Sequence, residues 1–375
     1  MRYPLSSRDT TLRFTIVAPS TALLFAAVTL AGASLASAQA IDSAAATDAK
    51  LAKSPWMAMP TVSSNPKLGT SLGVLGAYVL KIDPESRVSM IGLTATYTST
   101  QSYIGAVFAR LSWGEDHQRL VAIGAFGHIN NDYQDYLGTG QPLKTTGELA
   151  AFSTRYLYRV TGDWFGGAQA SLANFQVFGG STDDDLILEQ LGIRGFKNAG
   201  AGLVVQHDSR DSEDSPTSGW YLNANNIWYG DWFAGDTAYS AVRVDGRAFL
   251  GHGSGHVLAL RQYNWFTFDA PASAEASVIL RGYKMGQYLG QYMSSLEAEE
   301  RFKIAERWGA TLFAGAAYLY GTGASGAEDE NTWYPMYGLG VHFLLKPEAR
   351  MVANLEYAHG NAGNYGVYLK LGYAY

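Results

Sequence analysis

His207-Asp208-Ser209 carries the residue types of a hydrolytic triad. In an extended segment, adjacent side chains point to opposite faces, so these three cannot converge on one another, and the run reads as turn sequence. The seven His show no metal-ligand spacing such as His-Glu-x-x-His. Cys is absent, which removes thiolate chemistry and any disulfide framework. There is no Gly-x-Ser-x-Gly elbow and no phosphate-cradling glycine loop. Asp183-Asp184-Asp185 and Glu328-Asp329-Glu330 have oxygens that could hold a divalent cation loosely, but they read more simply as solvated loop charge. The expectation is no catalytic set, no metal and no cofactor. An enzyme acting on lipid is the last-ranked reading.

The charged residues that remain are placed by period-two alternation. In the run 152–160, Phe152, Tyr156, Tyr158 and Val160 share one face and Arg155 and Arg159 the other. Val242 and Val244 oppose Arg243, Asp245 and Arg247. Glu297, Glu299, Arg301 and Lys303 line one face of 297–304, with Ala298, Phe302 and Ile304 opposite and Glu300 as the exception. Met351, Ala353, Leu355 and Tyr357 oppose Arg350, Asn354 and Glu356. Tyr365 to Tyr375 alternates throughout. A soluble sandwich turns its charged face to water, whereas a membrane barrel turns it to the lumen. Alternation alone does not separate the two. The runs span roughly 10–14 residues, against about 5–6 in soluble sheets and about 9–11 for a tilted membrane strand.

The 375 residues are 47% hydrophobic and only 16% charged, against about 25% charged in a soluble domain. Gly (42), Tyr (24) and Trp (9) are plentiful. Arg2, Arg8 and Arg13 precede an apolar stretch from Ile16 to Leu35, and Ala36-Ser37-Ala38 or Ala38-Gln39-Ala40 fits a cleavage site, so residues 1–40 read as a signal peptide. Its removal takes away three Arg and one Asp and moves the formal charge from −6 to −8. An acidic chain without a basic patch gives no case for a nucleic-acid partner. Beyond Ala40 no apolar run reaches 18 residues, so no spanning helix is expected.

Sixteen strands are predicted, at 56–65, 69–81, 86–99, 101–113, 117–130, 147–160, 164–178, 199–208, 218–230, 237–250, 255–267, 292–304, 308–320, 335–346, 348–359 and 364–375. From the sixth on, short connections (161–163, 251–254, 305–307, 347) alternate with long ones (179–198, 268–291, 321–334). That parity belongs to outer-membrane barrels, with short periplasmic turns and long external loops. Trp113, Trp164, Phe165, Tyr229, Trp232, Trp308 and Tyr334 fall near strand ends, as interface belts do. The fold expected is all-β: a 16-stranded antiparallel transmembrane barrel over 56–375, after a short periplasmic lead-in at 41–55. Pro60 interrupts the first strand and, lacking an N–H, weakens a seam between strands one and sixteen.

Three segments, in order and spacing, resemble the barrel of the BamA/TamA family, the bacterial surface antigen superfamily of outer-membrane assembly and secretion proteins. Leu280-Arg281-Gly282-Tyr283 resembles the family's Val-Arg-Gly-Phe/Tyr motif. Asp208-Ser209-Arg210-Asp211, with Pro216 and Gly219, resembles its Asp-x-Arg-Asp…Pro-x-x-Gly turn. The last strand, ending Tyr373-Ala374-Tyr375, resembles the terminal aromatic signal of outer-membrane barrels. Arg194-Gly195-Phe196 precedes the turn motif and reads as a decoy.

The resemblance covers about 55–375. It implies that the long loop between strands eleven and twelve folds into the lumen, where Arg281 pairs with acids on the wall. Glu297 and Glu299 are the candidate partners, and Gly282 supplies backbone freedom. It further implies assistance to insertion or translocation of proteins or lipids, with outer-membrane lipid and unfolded outer-membrane or secreted proteins as partners. The chain departs from the family in three places. Gly315 stands where a Phe-x-Asp-x-Gly pattern would put Asp. Lys370 stands where the terminal signal has Gly. The sequence before strand one is too short for polypeptide-transport-associated domains. The alternative reading is a passive channel or structural barrel whose lumen arginines set ion preference.

Overall fold

The computed structural model describes residues 55–65, 67–133, 142–190, 195–213, 215–233, 235–321, 332–346 and 351–371. The signal-peptide reading of 1–40, Arg194, Glu328-Asp329-Glu330 and the terminal Tyr373 and Tyr375 lie outside those residues.

The strands are β1 (Trp56–Asn65), β2 (Gly69–Leu80), β3 (Ser89–Thr98), β4 (Tyr103–Trp113), β5 (Gln118–Tyr133), β6 (Leu143–Thr161), β7 (Trp164–Gly179), β8 (Phe196–Asp208), β9 (Gly219–Tyr229), β10 (Tyr239–His252), β11 (His256–Phe268), β12 (Ala276–Ser277), β13 (Leu289–Gly290), β14 (Tyr292–Lys303), β15 (Trp308–Tyr320), β16 (Thr332–Lys346), β17 (Met351–Gly360) and β18 (Tyr365–Leu371). Sixteen of them form one antiparallel sheet in chain order, β12 and β13 forming a separate hairpin inside the β11–β14 connection. A helix, α1 (Thr182–Gln190), sits in the β7–β8 connection. No ladder joins β1 to β18 among the described residues.

The polarity of the sheet is inverted relative to a water-soluble protein. Val107 and Phe126 are each 61% exposed and Leu203 60%, whereas Arg243 is 5% exposed, Asp245 4% and Glu299 1%. Hydrophobic residues line the accessible face from β2 to β17, with charged residues there near the strand ends, and the buried charges line the enclosed face. Water cannot be the solvent of the first face. Bilayer hydrocarbon can, and the alternation within each strand carries the apolar residues to it.

Parity within a strand corrects the reading of the aromatics. Trp164 is half-exposed, but Phe165 next to it must face inward, and it lies under the guanidinium of Arg119 at 3.8 Å. Tyr229 is buried and stacked on Tyr239 (4.4 Å). Tyr334 is buried against the β11–β14 loop. Trp232 and Trp308 remain outside.

Strand β6 begins at Leu143, earlier than its alternation indicated, because the inward parity continues through Thr145, which accepts from Asn131 Nδ2 at 3.0 Å. Gly147 does not end it, since the Phe175 ring occupies the place a side chain would take.

On this architecture, Val107→Arg or Leu203→Arg should destabilise the folded protein by about 2–4 kcal/mol, the cost of Arg near a bilayer midplane. Urea titration of vesicle-embedded protein checks this, and an unchanged midpoint would contradict the lipid-facing assignment.

Candidate functional site: the loop brace and the ionic lining

The β11–β14 connection, residues 269–291, turns back over the charged face of the sheet. After Pro271 a short 3-10 turn (Ala272–Ala274) leads into β12. Ala276, Val278, Leu280, Tyr283 and Tyr288 from this loop are buried in one cluster with Tyr263, Trp265, Met293, Phe313, Tyr334, Met336 and Tyr368 of the wall. At its far end the loop meets other strands. Lys284 Nζ donates to the Asp132 carbonyl of β5 at 2.7 Å, and Lys67 Nζ, between β1 and β2, donates to the Met285 carbonyl at 3.2 Å. Leu188 of α1 packs with Tyr133, Leu143 and Leu289, adding cover over the same end.

Gly282 has φ +95°, a conformation L side chains rarely adopt, and its N–H donates to Tyr368 Oη. Tyr283 Oη donates to the Pro335 carbonyl at 2.6 Å and accepts from the Asn361 N–H at 3.0 Å. Its ring lies where a Cβ on Gly360 would be, 2.5 Å from Cζ, so Gly360 is what lets the ring in.

Arg281 lies on a platform made by a glycine. The Phe313 ring lies over Gly338, whose added Cβ would come within 2.3 Å of it, and the Arg281 guanidinium sits 3.5 Å above that ring. From there Arg281 Nη1 donates to Glu299 Oε2 at 2.7 Å and to Glu356 Oε2 at 3.1 Å, while Glu297 stands farther off at 3.8 Å. Glu356 on β17 was missed as a partner. Alternation already put it on the charged face, but its approach to a loop from β11 depends on how deeply the loop is seated. Gly315 faces Glu297 in register, and a Cβ there would come within 3.1 Å of Glu297 Cγ and 2.6 Å of the Leu296 carbonyl. The wall has no room for an acid at 315, and β17 supplies one instead.

The ion pairs continue from this point. Arg301 Nε donates to Glu299 Oε1 at 2.7 Å, and its Nη1 to the Pro216 carbonyl at 3.1 Å. Arg261 joins Glu297 (3.4 Å) to Asp245 (3.2 Å), and Arg247 closes on Asp245 at 2.5 and 3.0 Å. Glu299 and Arg301 thus connect the segment around Arg281 to the turn around Pro216, two segments far apart in sequence.

That turn, residues 209–218, is tied by its own acids. Asp208 grips Arg210 through both carboxylate oxygens (2.8 and 3.1 Å), with the guanidinium 4.6 Å over the Tyr221 ring. Asp211 accepts from Thr217 Oγ1 (2.7 Å) and from the N–H groups of Thr217 and Ser218 (2.8 and 3.1 Å). Gly219 has φ +93°, and a Cβ on it would come within 2.2 Å of the Ser209 carbonyl. Glu213 reaches away from β8 and β9 to pair with Arg87 and Arg110.

The hydrolytic residue types diverge. His207 stacks on Trp220 (3.7 Å), Asp208 turns to Arg210 and Ser209 Oγ bonds the Trp220 carbonyl at 3.2 Å. No group of three or more metal-ligating side chains occurs among the described residues. Asp183, Asp184 and Asp185 occupy the first turn of α1, where carboxylates meet the positive end of the helix dipole. Pro60 lies in β1 opposite Val74. Of the decoy, Gly195 packs its backbone against Phe175.

Taken together, an inverted sheet and an ion-paired interior define a transmembrane β-barrel of the outer-membrane type. No protein-family model and no curated protein matches the sequence. Among solved structures, BamA from Haemophilus ducreyi lacking POTRA domains 1–3 is similar with a TM-score of 0.59 and 12% identity, over 84% of this chain and 69% of that one. CdiB from Escherichia coli gives 0.59 and 12%, over 86% and 63%. CdiB from Acinetobacter baumannii gives 0.54 and 10%, over 83% and 57%. The chain therefore spans between 57% and 69% of the length of these proteins. What it shares with them is the BamA-like barrel fold.

Two outcomes are expected. Glu299→Ala takes a shared carboxylate from two buried guanidiniums, leaving Arg281 its contact with Glu356 and Arg301 the Pro216 carbonyl, and should cost about 3 kcal/mol, the low end of the usual penalty for breaking a buried pair. Urea unfolding in vesicles reads this, and a loss below about 1 kcal/mol would contradict it. Burial, helped by the Lys284 ammonium, lowers Lys67 from 10.5 to about 8. Its charged form is therefore penalised in the folded state. The penalty is fully present below pH 8 and is relieved as pH rises from about 8 to 10.5. Wild type should gain stability relative to Lys67→Met across that window, by up to about 3 kcal/mol, and parallel pH profiles would contradict it.

Proposed function

We propose that this chain is exported by a signal peptide at 1–40 and works in a Gram-negative outer membrane, assisting insertion or translocation of proteins or lipids through a lateral seam between β1 and β18. The observation that carries this reading is the contrast between seam and lumen. Every other pair of neighbours in the sheet is laddered, whereas β1 and β18 approach each other without a ladder among the described residues. Pro60 has no N–H to offer on β1. The interior is crossed by the 269–291 loop, with Arg281 as its ionic brace on Glu299 and Glu356. A route through the wall is then easier to open than a route along the axis. The names BamA and CdiB attached to the similar folds agree with this reading. The clients are unfolded outer-membrane or secreted chains, and the protein is not an enzyme.

The passive channel is the second reading, motivated by the lumen arginines. Their pairing speaks against it. Arg159 is paired with Asp116 (2.8 Å) and Arg247 with Asp245, while Arg155 is held by the neutral Gln169 amide (2.5 Å) and Arg243 lies over the Trp265 ring (4.6 Å). Planar-bilayer recording should give a closed or flickering trace, and a steady open pore would favour the channel.

The direct test uses the absence of native Cys. One Cys on β1 and one on β18 are oxidised, and the insertion of an unfolded outer-membrane protein into vesicles is followed. The locked barrel should lose most of its activity and recover it on reduction. Full activity while locked would overturn the seam.

A further inference from the structure

The apolar face between β4 and β8 carries a groove. In register across these strands, Gly105, Phe126, Ala150, Asn174 and Lys197 form one row, and Val107, Gly124, Phe152, Leu172 and Ala199 the next. The Phe126 ring leans toward β4 and takes the space above Gly105, where an added Cβ would come within 2.5 Å of Cζ. Ala150, on the other side of Phe126, is left uncovered. The result is a depression of about 500 Å³ walled by Phe126, Phe152 and Leu172 over Gly124, Ala150 and Ala199. The depression is open along its outer side, so an occupant would lie in it with one flank toward the bilayer.

Its upper edge is polar. One row nearer the long-connection end, His128 pairs with Glu148 at 2.6 Å and Tyr103 stacks on the His128 ring at 5.3 Å. Aromatic and ionised side chains at that level mark the boundary between hydrocarbon and headgroups. Lys197, the second residue of β8, lines the same mouth beside Asn174 and is exposed. Asp236 accepts its backbone N–H at 2.9 Å, and its ammonium has no ion-pair partner among the described residues. A lysine stem along apolar surface with its charge at headgroup level is the usual arrangement at a membrane interface.

We propose that this groove holds one acyl chain of a phosphate-bearing lipid of the outer leaflet, with the Lys197 ammonium on the phosphate and the Asn174 side-chain amide donating to the same headgroup. The assignment rests on the lipid-facing reading of this face and is independent of the seam. Small floor residues and a displaced Phe126 make room for the chain. In a choline headgroup the quaternary ammonium would oppose Lys197 beside the same phosphate, so the lysine favours a headgroup of net negative charge.

The test places the folded protein in nanodiscs of equal dimyristoyl phosphatidylglycerol and phosphatidylcholine. Lipids retained after transfer to detergent are then counted by native mass spectrometry. Wild type should retain one phosphatidylglycerol at least fivefold in preference to phosphatidylcholine. Lys197→Ala, an exposed substitution, should keep one bound lipid but lose the preference. Ala150→Leu fills the floor and should lose the lipid. A heat-modifiable gel shift reports folding of each variant, and Lys197→Ala decides the matter alone if Ala150→Leu does not fold. Equal retention of the two lipids by wild type, or an unchanged preference in Lys197→Ala, would overturn the proposal.

Discussion

Inside hydrocarbon, no water is available to a backbone N–H or C=O, so each must find its partner on the neighbouring strand. The rest of this structure answers to that requirement. Sixteen strands pair in chain order, and their period of two sends every second side chain to lipid and every other to the interior. The same requirement makes the two end strands the weak place. Pro60 on β1 has no N–H to donate to a neighbour, and among the described residues no ladder joins β1 to β18.

The interior has the opposite problem. Arginines and acids driven there by parity lose much of their hydration, and an unpaired charge in such a place costs several kcal/mol. The chain answers with shared pairing. Arg281, Arg301, Arg261 and Arg247 share Glu299, Glu356, Glu297 and Asp245, so each guanidinium is met by at least one carboxylate. Small residues make this geometry possible: Gly338 lets Phe313 lie flat as the bed for Arg281, Gly315 leaves room for Glu297, and Gly360 admits Tyr283. The loop is thereby fastened by charge at Arg281 and by apolar packing at Leu280 and Tyr283, and the turn at 209–218 is joined to it through Arg301.

Much of this was legible in the sequence, because strand alternation is local. The spans 56–65 and 308–320 fall where the pattern places them. What is not local was hidden. Glu356 shows its face in the sequence but not its distance from Arg281, which is set by the seating of a loop 75 residues away. Phe165 and Tyr229 lie near strand ends, as interface aromatics do, but their parity turns them inward. Helix α1 carries a local signal at its start. Ser181 Oγ accepts from the Asp184 N–H at 3.2 Å, as an N-cap hydroxyl does, and donates to the Asp184 carboxylate at 2.8 Å, with acids filling the first turn.

The account depends on one face of the wall meeting lipid. Strand β6 tests it most directly, since the chain has no native Cys. Single Cys residues at Ala150, Phe152, Thr154 and Tyr156, and at Leu149, Ala151 and Ser153, would carry a fluorophore in vesicle-embedded protein. The first set should be quenched by a nitroxide on the lipid chains and the second set should not, giving a sawtooth of period two. Equal quenching along the strand, or quenching of the first set by a water-soluble agent, would contradict it.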